Sequence, residues 1–360
     1  MPDHPNQPQE YDAVFGGQTP IPEGSAILGG IAGVKRRLAS KFEGQRIVAL
    51  SEALKYGEAG LDLLIGALQD ESVQVEKTAY LLLRERAEPR VKLALQQCNP
   101  WQYFECLHIL GGHSWNNVMS VAISPLEQTF VSASCGTSII EIRNLQTGKL
   151  IRTLRGHSGN VTSVAISPLG QTLVSASSDK TIKIWNLSTG ELIGTLQGHS
   201  NVVSIVAISP DGHVIVSASS DKAIKIWNLL TGELIRTLQG HSNGVSTVAI
   251  SPDGQIFVSG SHDLTIKIWN LLTGELIRTL QGHSNGVSTV AISQDGHILV
   301  SGGYDLTIKI WNLLTGELIR TLKEHSSDIN SVVQSVAISP DGQTIVSGCG
   351  SSIIRVWGIR

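Results

Sequence analysis

Four times along the chain a histidine, a serine, an aspartate and a tryptophan follow one another at fixed distances. The sets are His157, Ser175, Asp179 and Trp185; His199, Ser217, Asp221 and Trp227; His241, Ser259, Asp263 and Trp269; and His283, Ser301, Asp305 and Trp311. Serine, histidine and carboxylate are the parts of a hydrolase: nucleophile, general base and orienter. That chemistry asks for one exposed serine on which the other two groups converge. Four equivalent copies argue instead for a repeated structural part. In it a buried Asp and His satisfy each other, and the Trp N–H finds an acceptor. Other chemistry finds little footing. His4, His108, His213 and His297 lack metal-ligand spacing. There is no Cys-x-x-Cys and no Gly-rich phosphate loop between a strand and a helix. The Asp-Gly turns lack the dense carboxylates of a calcium loop. Neither a metal nor a cofactor is expected.

The elements that must position these residues are short strands. Gly-His recurs at Gly112-His113, Gly156-His157, Gly198-His199, Gly240-His241 and Gly282-His283, with Glu324-His325 as a sixth copy. From His157 to His283 each copy follows the last by 42 residues, and the first interval, from His113, is 44. Within a unit, VSTVAIS (Val245 to Ser251) alternates apolar and polar residues, and the turn SPDG follows. QIFVSGS then leads to Asp263, TIKIW ends in Trp269, and ELIRTL runs into the next Gly-His. Alternation of period two between Gly, Pro, Asn and Asp clusters predicts strands. Four short strands per repeat of this length predict a propeller blade.

These residues resemble the WD-repeat family, over residues 103 to 360. The family's closing Trp-Asp reads Trp-Asn here, at Trp185-Asn186, Trp227-Asn228, Trp269-Asn270 and Trp311-Asn312. The near-identity of successive units is similar to that of bacterial members. The resemblance implies a mainly β chain, a six-bladed propeller whose sequence unit is offset from the blade. The strand before Gly-His is the outer strand d of one blade, and strands a, b and c after it begin the next. Six d strands then exist only if YFECLHIL (Tyr103 to Leu110) is one of them. That strand is expected to complete the last blade and remove an open edge. The resemblance also implies that the His, Ser, Asp and Trp sets form buried hydrogen-bonded chains. The end blades depart from the pattern. Blade 1 keeps His113 and Ser132 but has Gly136 and Thr137 at the Asp position and Arg143 for Trp. Blade 6 keeps His325, Ser347 and Trp357 but has Ser351 for Asp. Cys135 and Cys349 fall in matching loops, where either a disulfide or two free thiols fit; a reducing compartment favours thiols.

The family's top face carries the d–a loops and the b–c turns. The opposite turns, SPDG and LLTGEL, are nearly uniform along the chain, whereas the residue before the loop Asp is Ser178, Ser220, His262 and then Tyr304. The residue after the first valine of strand a is Met119, Thr162, Ser204, Ser246, Ser288 and Gln334. In the family these positions ring the channel mouth and contact partners. Tyr304, His262, Met119, Gln334 and the loop residue Trp115 are large and gather in blades 4, 5, 6 and 1, the composition of a binding hot spot. They form the expected partner site, with Ser178 and Ser220. The function expected is a non-catalytic scaffold for other proteins. The alternative is a small-ligand-binding or hydrolytic propeller using the central channel. The Ser and Thr of the channel mouth, without converging carboxylates, argue against it.

The N-terminal part reads differently. Residues 1–26 are polar and Pro-rich and are expected to be a disordered tail. Residues 27–100 are expected to form a small helical domain, and 101–360 the propeller. Leu61, Leu64, Ile65 and Leu68 recur at helical spacing, as do Val75, Ala79, Leu82 and Leu83. The stretch Ala67 to Leu83 is similar to a HEAT-like repeat, which would either bind a partner or cap the propeller. Charged residues make up 16% of the 360 residues and the net charge is −3. That is no electrostatic footprint for nucleic acid or an anionic membrane. No apolar run approaches the ~18 residues that span a bilayer. The opening residues resemble no secretory signal, so a cytoplasmic location is expected. The sequence leaves the oligomeric state open.

Overall fold

The structure, a computed structural model, describes residues 30–96, 98, 118–134, 136–323, 332–349 and 354–358. Contacts divide the chain into two compact units, Met1–Leu107 and His108–Arg360.

The first unit holds helices α1 (Gly30–Leu38), α2 (Glu43–Ala53), α3 (Gly57–Gly66), α4 (Val73–Leu83) and α5 (Pro89–Gln96). The helical stripe seen in the sequence becomes its core. Leu61, Leu64 and Leu68 pack with Val75, Ala79 and Leu83 and with Ala49, Leu50 and Ala53 of α2, while Ile65 and Leu82 lie at the margin. Asp70, in the turn between α3 and α4, accepts from Ser72 N (2.9 Å) and from Arg46 Nη2 (3.0 Å). Arg46 is buried, so this pair ties α2 to the turn. No helix among the described residues is long and apolar enough to cross a membrane.

The second unit is a succession of antiparallel sheets. Blade 4 is typical: strands a (Val245–Ile250), b (Ile256–Ser261), c (Thr265–Asn270) and d (Leu276–Gln281) lie side by side in chain order. Blades 1, 2, 3 and 5 repeat it over 118–155, 161–196, 203–238 and 287–323. Blade 6, over 333–358, has strands a, b and c. The segment expected to be its strand d, Tyr103 to Leu110, lies outside the described residues. Strand a of every blade carries a bulge one residue after its first valine. A bulge re-aims the extra side chain. The bulge residues are Met119, Thr162, Ser204, Ser246, Ser288 and Gln334.

No blade owns a core. Val161, Val164, Leu173 and Trp185 of blade 2 pack on Val131, Ile140, Ile142 and Leu154 of blade 1, and the pattern recurs at each following pair. Strand b is therefore apolar on both faces. The ends show what this arrangement covers. Ile266 and Ile268 of blade 4 are 1% and 2% exposed; their counterparts in blade 6, Ile354 and Val356, are 74% and 70% exposed. On blade 1, Val121 and Ile123 stand equally open. Among the described residues no cluster joins blade 6 to blade 1.

Candidate functional site

In blade 4, His241 Nδ1 lies 2.8 Å from Asp263 Oδ2, and His241 Nε2 lies 2.8 Å from Ser259 Oγ. Trp269 Nε1 donates to the same Ser259 Oγ at 2.9 Å. The sets around His157, His199 and His283 repeat these contacts within 0.1 Å. An ionised carboxylate only accepts, so Nδ1 of His241 carries the proton and Nε2 accepts from Ser259 Oγ–H. The serine oxygen in turn accepts from the indole. Every proton in the chain has one acceptor. Ser259 is wholly buried and so are Ser175, Ser217 and Ser301. A buried hydroxyl held by both histidine and tryptophan presents no nucleophile to a substrate.

The charges follow from burial and hydrogen bonds. Burial holds His157, His199 and His241 below the ordinary histidine value, against the pull of their aspartates. Burial alone would raise the Asp179 carboxyl, but hydrogen bonds from Thr181, His157 and the Ser158 N–H outweigh it and bring the pKa to about 2. Asp305 is likewise brought to about 2, and Asp221 and Asp263 are lowered. Each of these blades also buries a lysine, Lys183, Lys225, Lys267 or Lys309. Its ammonium donates to a strand d threonine; Lys267 Nζ reaches Thr279 Oγ1 at 2.9 Å. One buried cation thus accompanies one aspartate in each blade.

Gly-His has a steric reason as well. A Cβ built on Gly240 would come within 2.9 Å of Trp269 Cη2, and Gly156 and Gly282 are as close to their own tryptophans. The glycine is where the d–a loop crosses the indole ring.

The end blades solve the same problem differently. In blade 1, Glu141 takes the lysine position and pairs with Arg143 (Nη2 to Oε2, 2.9 Å), which stands for the tryptophan. Thr137 Oγ1 lies 2.9 Å from Ser134 Oγ. In blade 6, Trp357 Nε1 still donates to Ser347 Oγ at 3.0 Å. His113, His325 and Ser351 lie outside the described residues. Cys349 is buried and its Sγ accepts from Arg355 Nη1 at 3.3 Å; Cys135 lies outside the described residues.

The b–c turns and d–a loops meet on one face, the top. Ser178 N, Ser220 N, His262 N and Tyr304 N each donate to a d–a loop carbonyl of their own blade, at 2.8–3.0 Å. Tyr304 and His262 are exposed, and their ring centroids lie 5.5 Å apart across the boundary between blades 4 and 5. Gly286 lets them meet: a Cβ there would be 2.9 Å from His262 Nδ1 and 3.4 Å from Tyr304 Cδ2. Ser220 is exposed and Ser178 half-buried at the matching turns. Trp115 lies outside the described residues. Met119 and Gln334 are exposed bulge residues, remote in sequence from these turns.

The bulge residues of three blades turn to the neighbouring blade: Thr162 Oγ1 donates to Val203 O of the next blade (2.6 Å), and Ser246 and Ser288 Oγ donate likewise to Val287 O and Val333 O. At these three blades the hydroxyl pins neighbouring blades together. The pattern of the sequence could not show this, because the bulge redirects the side chain.

The residue after each loop Asp was not singled out by the sequence reading. Lys180, Lys222, Leu264 and Leu306 have φ of 71°, 73°, 72° and 62°, and they are the non-glycine residues of positive φ among the described residues. The two faces also differ in charge. On the bottom, the a–b turns of blades 3 to 6 carry Asp211, Asp253, Asp295 and Asp341, and the c–d turns of blades 2 to 5 carry Glu191, Glu233, Glu275 and Glu317. On the described top turns the carboxylates are those of the histidine-bound aspartates, and the exposed charges are Lys180 and Lys222.

Among the described residues no group of three or more His, Cys, Asp or Glu is placed to hold a metal ion. Compared with proteins of curated function, the chain matches none. Residues 104–140, 148–186, 190–228, 232–270, 274–312 and 316–358 each match the WD40 family, WD domain, G-beta repeat. From the second on, each match takes in strand d of one sheet and strands a, b and c of the next, the offset of a WD unit from its blade, and the chain belongs to the WD40 repeat family.

Proposed function

We propose that this chain is a non-catalytic scaffold and that its propeller docks another protein on the top face. Members of the family generally mediate protein–protein interactions. The observation that carries the reading is the His262–Tyr304 pair, two exposed rings 5.5 Å apart at turns where blades 2 and 3 have serine. A rigid aromatic at a surface buries a large area on contact at little entropic cost. The bottom-face turns, by contrast, are nearly identical from blade to blade. Strand 103–110 completes blade 6 in this reading, and the helical unit is a HEAT-like segment that either binds a partner or serves as a cap.

The test compares Tyr304→Ala with His262→Ala against a bottom-face control, Asp253→Ala with Asp211→Ala. Melting temperature and recovery of bound proteins from native lysate, read by mass spectrometry, are measured for both. The top-face variant should melt within about 0.5 kcal/mol of the parent in stability and lose its partners. Partners kept by that variant and lost by the control would put the site on the wrong face.

A further inference from the structure

The turn residues of positive φ show what kind of partner the top face fits. A turn with φ near +70° after its second residue favours Gly or Asn, and any other side chain costs about 1 kcal/mol there. The chain nevertheless has Lys180 and Lys222 in blades 2 and 3, and Leu264 and Leu306 in blades 4 and 5. The turn does not select these side chains. Lys180 and Lys222 are exposed and make no ion pair among the described residues, and Leu264 is 41% exposed. Together with the preceding residue, the turns read Ser-Asp-Lys twice and then His-Asp-Leu and Tyr-Asp-Leu. The rest of these blades is nearly the same; Asn-Leu-Leu-Thr-Gly-Glu-Leu is unchanged across blades 3, 4 and 5.

The two halves are continuous. A Cβ on Gly244 would lie 3.2 Å from Ser220 Cα and 3.7 Å from His262 Cδ2, so the blade 3 turn adjoins the blade 4 turn. His262 then meets Tyr304. Among the described top turns Lys180 and Lys222 are the exposed charges, while the tetrad aspartates are taken up by their histidines. We infer that the top face recognises an acidic peptide segment bearing an apolar side chain. Its carboxylates lie over Lys180 and Lys222, and its apolar group lies against Leu264, His262 and Tyr304. This rests on the top-face reading above and adds the chemistry of the partner. Two lysines beside an apolar half suit a short acidic peptide better than the continuous phosphates of a nucleic acid, which call for more cations.

The probe is an array of short Gly/Ser peptides carrying two glutamates and one leucine or phenylalanine at every spacing. The same peptides with lysine for glutamate, or serine for the apolar residue, stand beside them. Oligothymidylate is the nucleic-acid arm. The full chain should retain acidic-apolar peptides above both control sets and above oligothymidylate. Lys180→Glu with Lys222→Glu should lower retention about tenfold, as for two exposed ion pairs. Leu264→Ser with Tyr304→Ala should erase the preference for leucine and phenylalanine over serine. Asp253→Ala with Asp211→Ala should change neither, and all variants must melt like the parent. Retention of no peptide, equal retention of lysine peptides, or tighter oligothymidylate binding overturns the inference. If lysine peptides win and the top-face variants abolish their binding, the inference fails but docking on the top face stands. If the bottom-face control alone changes binding, both fail.

Discussion

Replacing Ser259 by alanine removes one oxygen and orphans two buried groups. Trp269 Nε1–H loses its acceptor and His241 Nε2 its donor, at positions 3% and 6% exposed. Each buried group left without a partner costs about 1–3 kcal/mol. The space vacated is smaller than a methyl group, so the cavity adds little. Ser259→Ala should therefore destabilise by about 2–6 kcal/mol. Trp269→Phe keeps most of the ring but loses the N–H and part of the packing, at about 1–3 kcal/mol. In the double variant the indole N–H is gone before the serine is removed. The two effects should then sum to about 1–2 kcal/mol less than their separate values. The assay is urea unfolding at neutral pH followed by circular dichroism, with the slope required to match the parent so that the midpoints compare stability alone. A Ser259→Ala midpoint equal to the parent's, or a cycle additive to within about 0.5 kcal/mol, would refute the hydrogen-bonded chain from indole to serine to imidazole to carboxylate.

Two further outcomes are expected. Histidines 157, 199 and 241 have folded pKa values below the ordinary 6.5, so the unfolded chain binds more protons between the two values. Stability should be flat above pH 6.5 and fall below it. A second loss follows as pH drops from the ordinary aspartate value of 3.8 through about 2, where Asp179 and Asp305 protonate. Urea midpoints across that range check it, and a midpoint rising on acidification would contradict the neutral histidines. Deleting residues 1–110 removes the proposed outer strand of blade 6 and should bring aggregation or a large drop in melting temperature. A truncated chain that stays monomeric and equally stable would remove that strand from the fold.

The repeat period and the tetrads were legible in the sequence because each blade repeats one solution. His241, Ser259, Asp263 and Trp269 sit at the same offsets as their counterparts 42 residues away. What the sequence hid is what depends on backbone detail. Ser246 and Ser288 read as channel-mouth residues, yet a one-residue bulge turns their hydroxyls to the next blade. Lys267 lies in TIKIW like any polar residue on the solvent side of a strand, but the neighbouring strand d covers it and supplies Thr279. Leu264 looks like an ordinary hydrophobic residue until its φ of 72° is known. At the candidate site, Tyr304 and His262 stood out by size, but Gly286, which lets them meet, carried no signal in composition or spacing.

The shared cores constrain how such a chain can change its length. Because Val164 and Trp185 of one sheet fill the space left by Ile140 and Leu154 of the one before, any cut within a repeat separates two halves of one packing unit. Removing or adding a whole repeat of 42 residues instead joins faces of the same kind. The gene can therefore grow or shrink in whole repeats with each new boundary already packed, and frame-preserving changes of other lengths are admitted only in the surface turns.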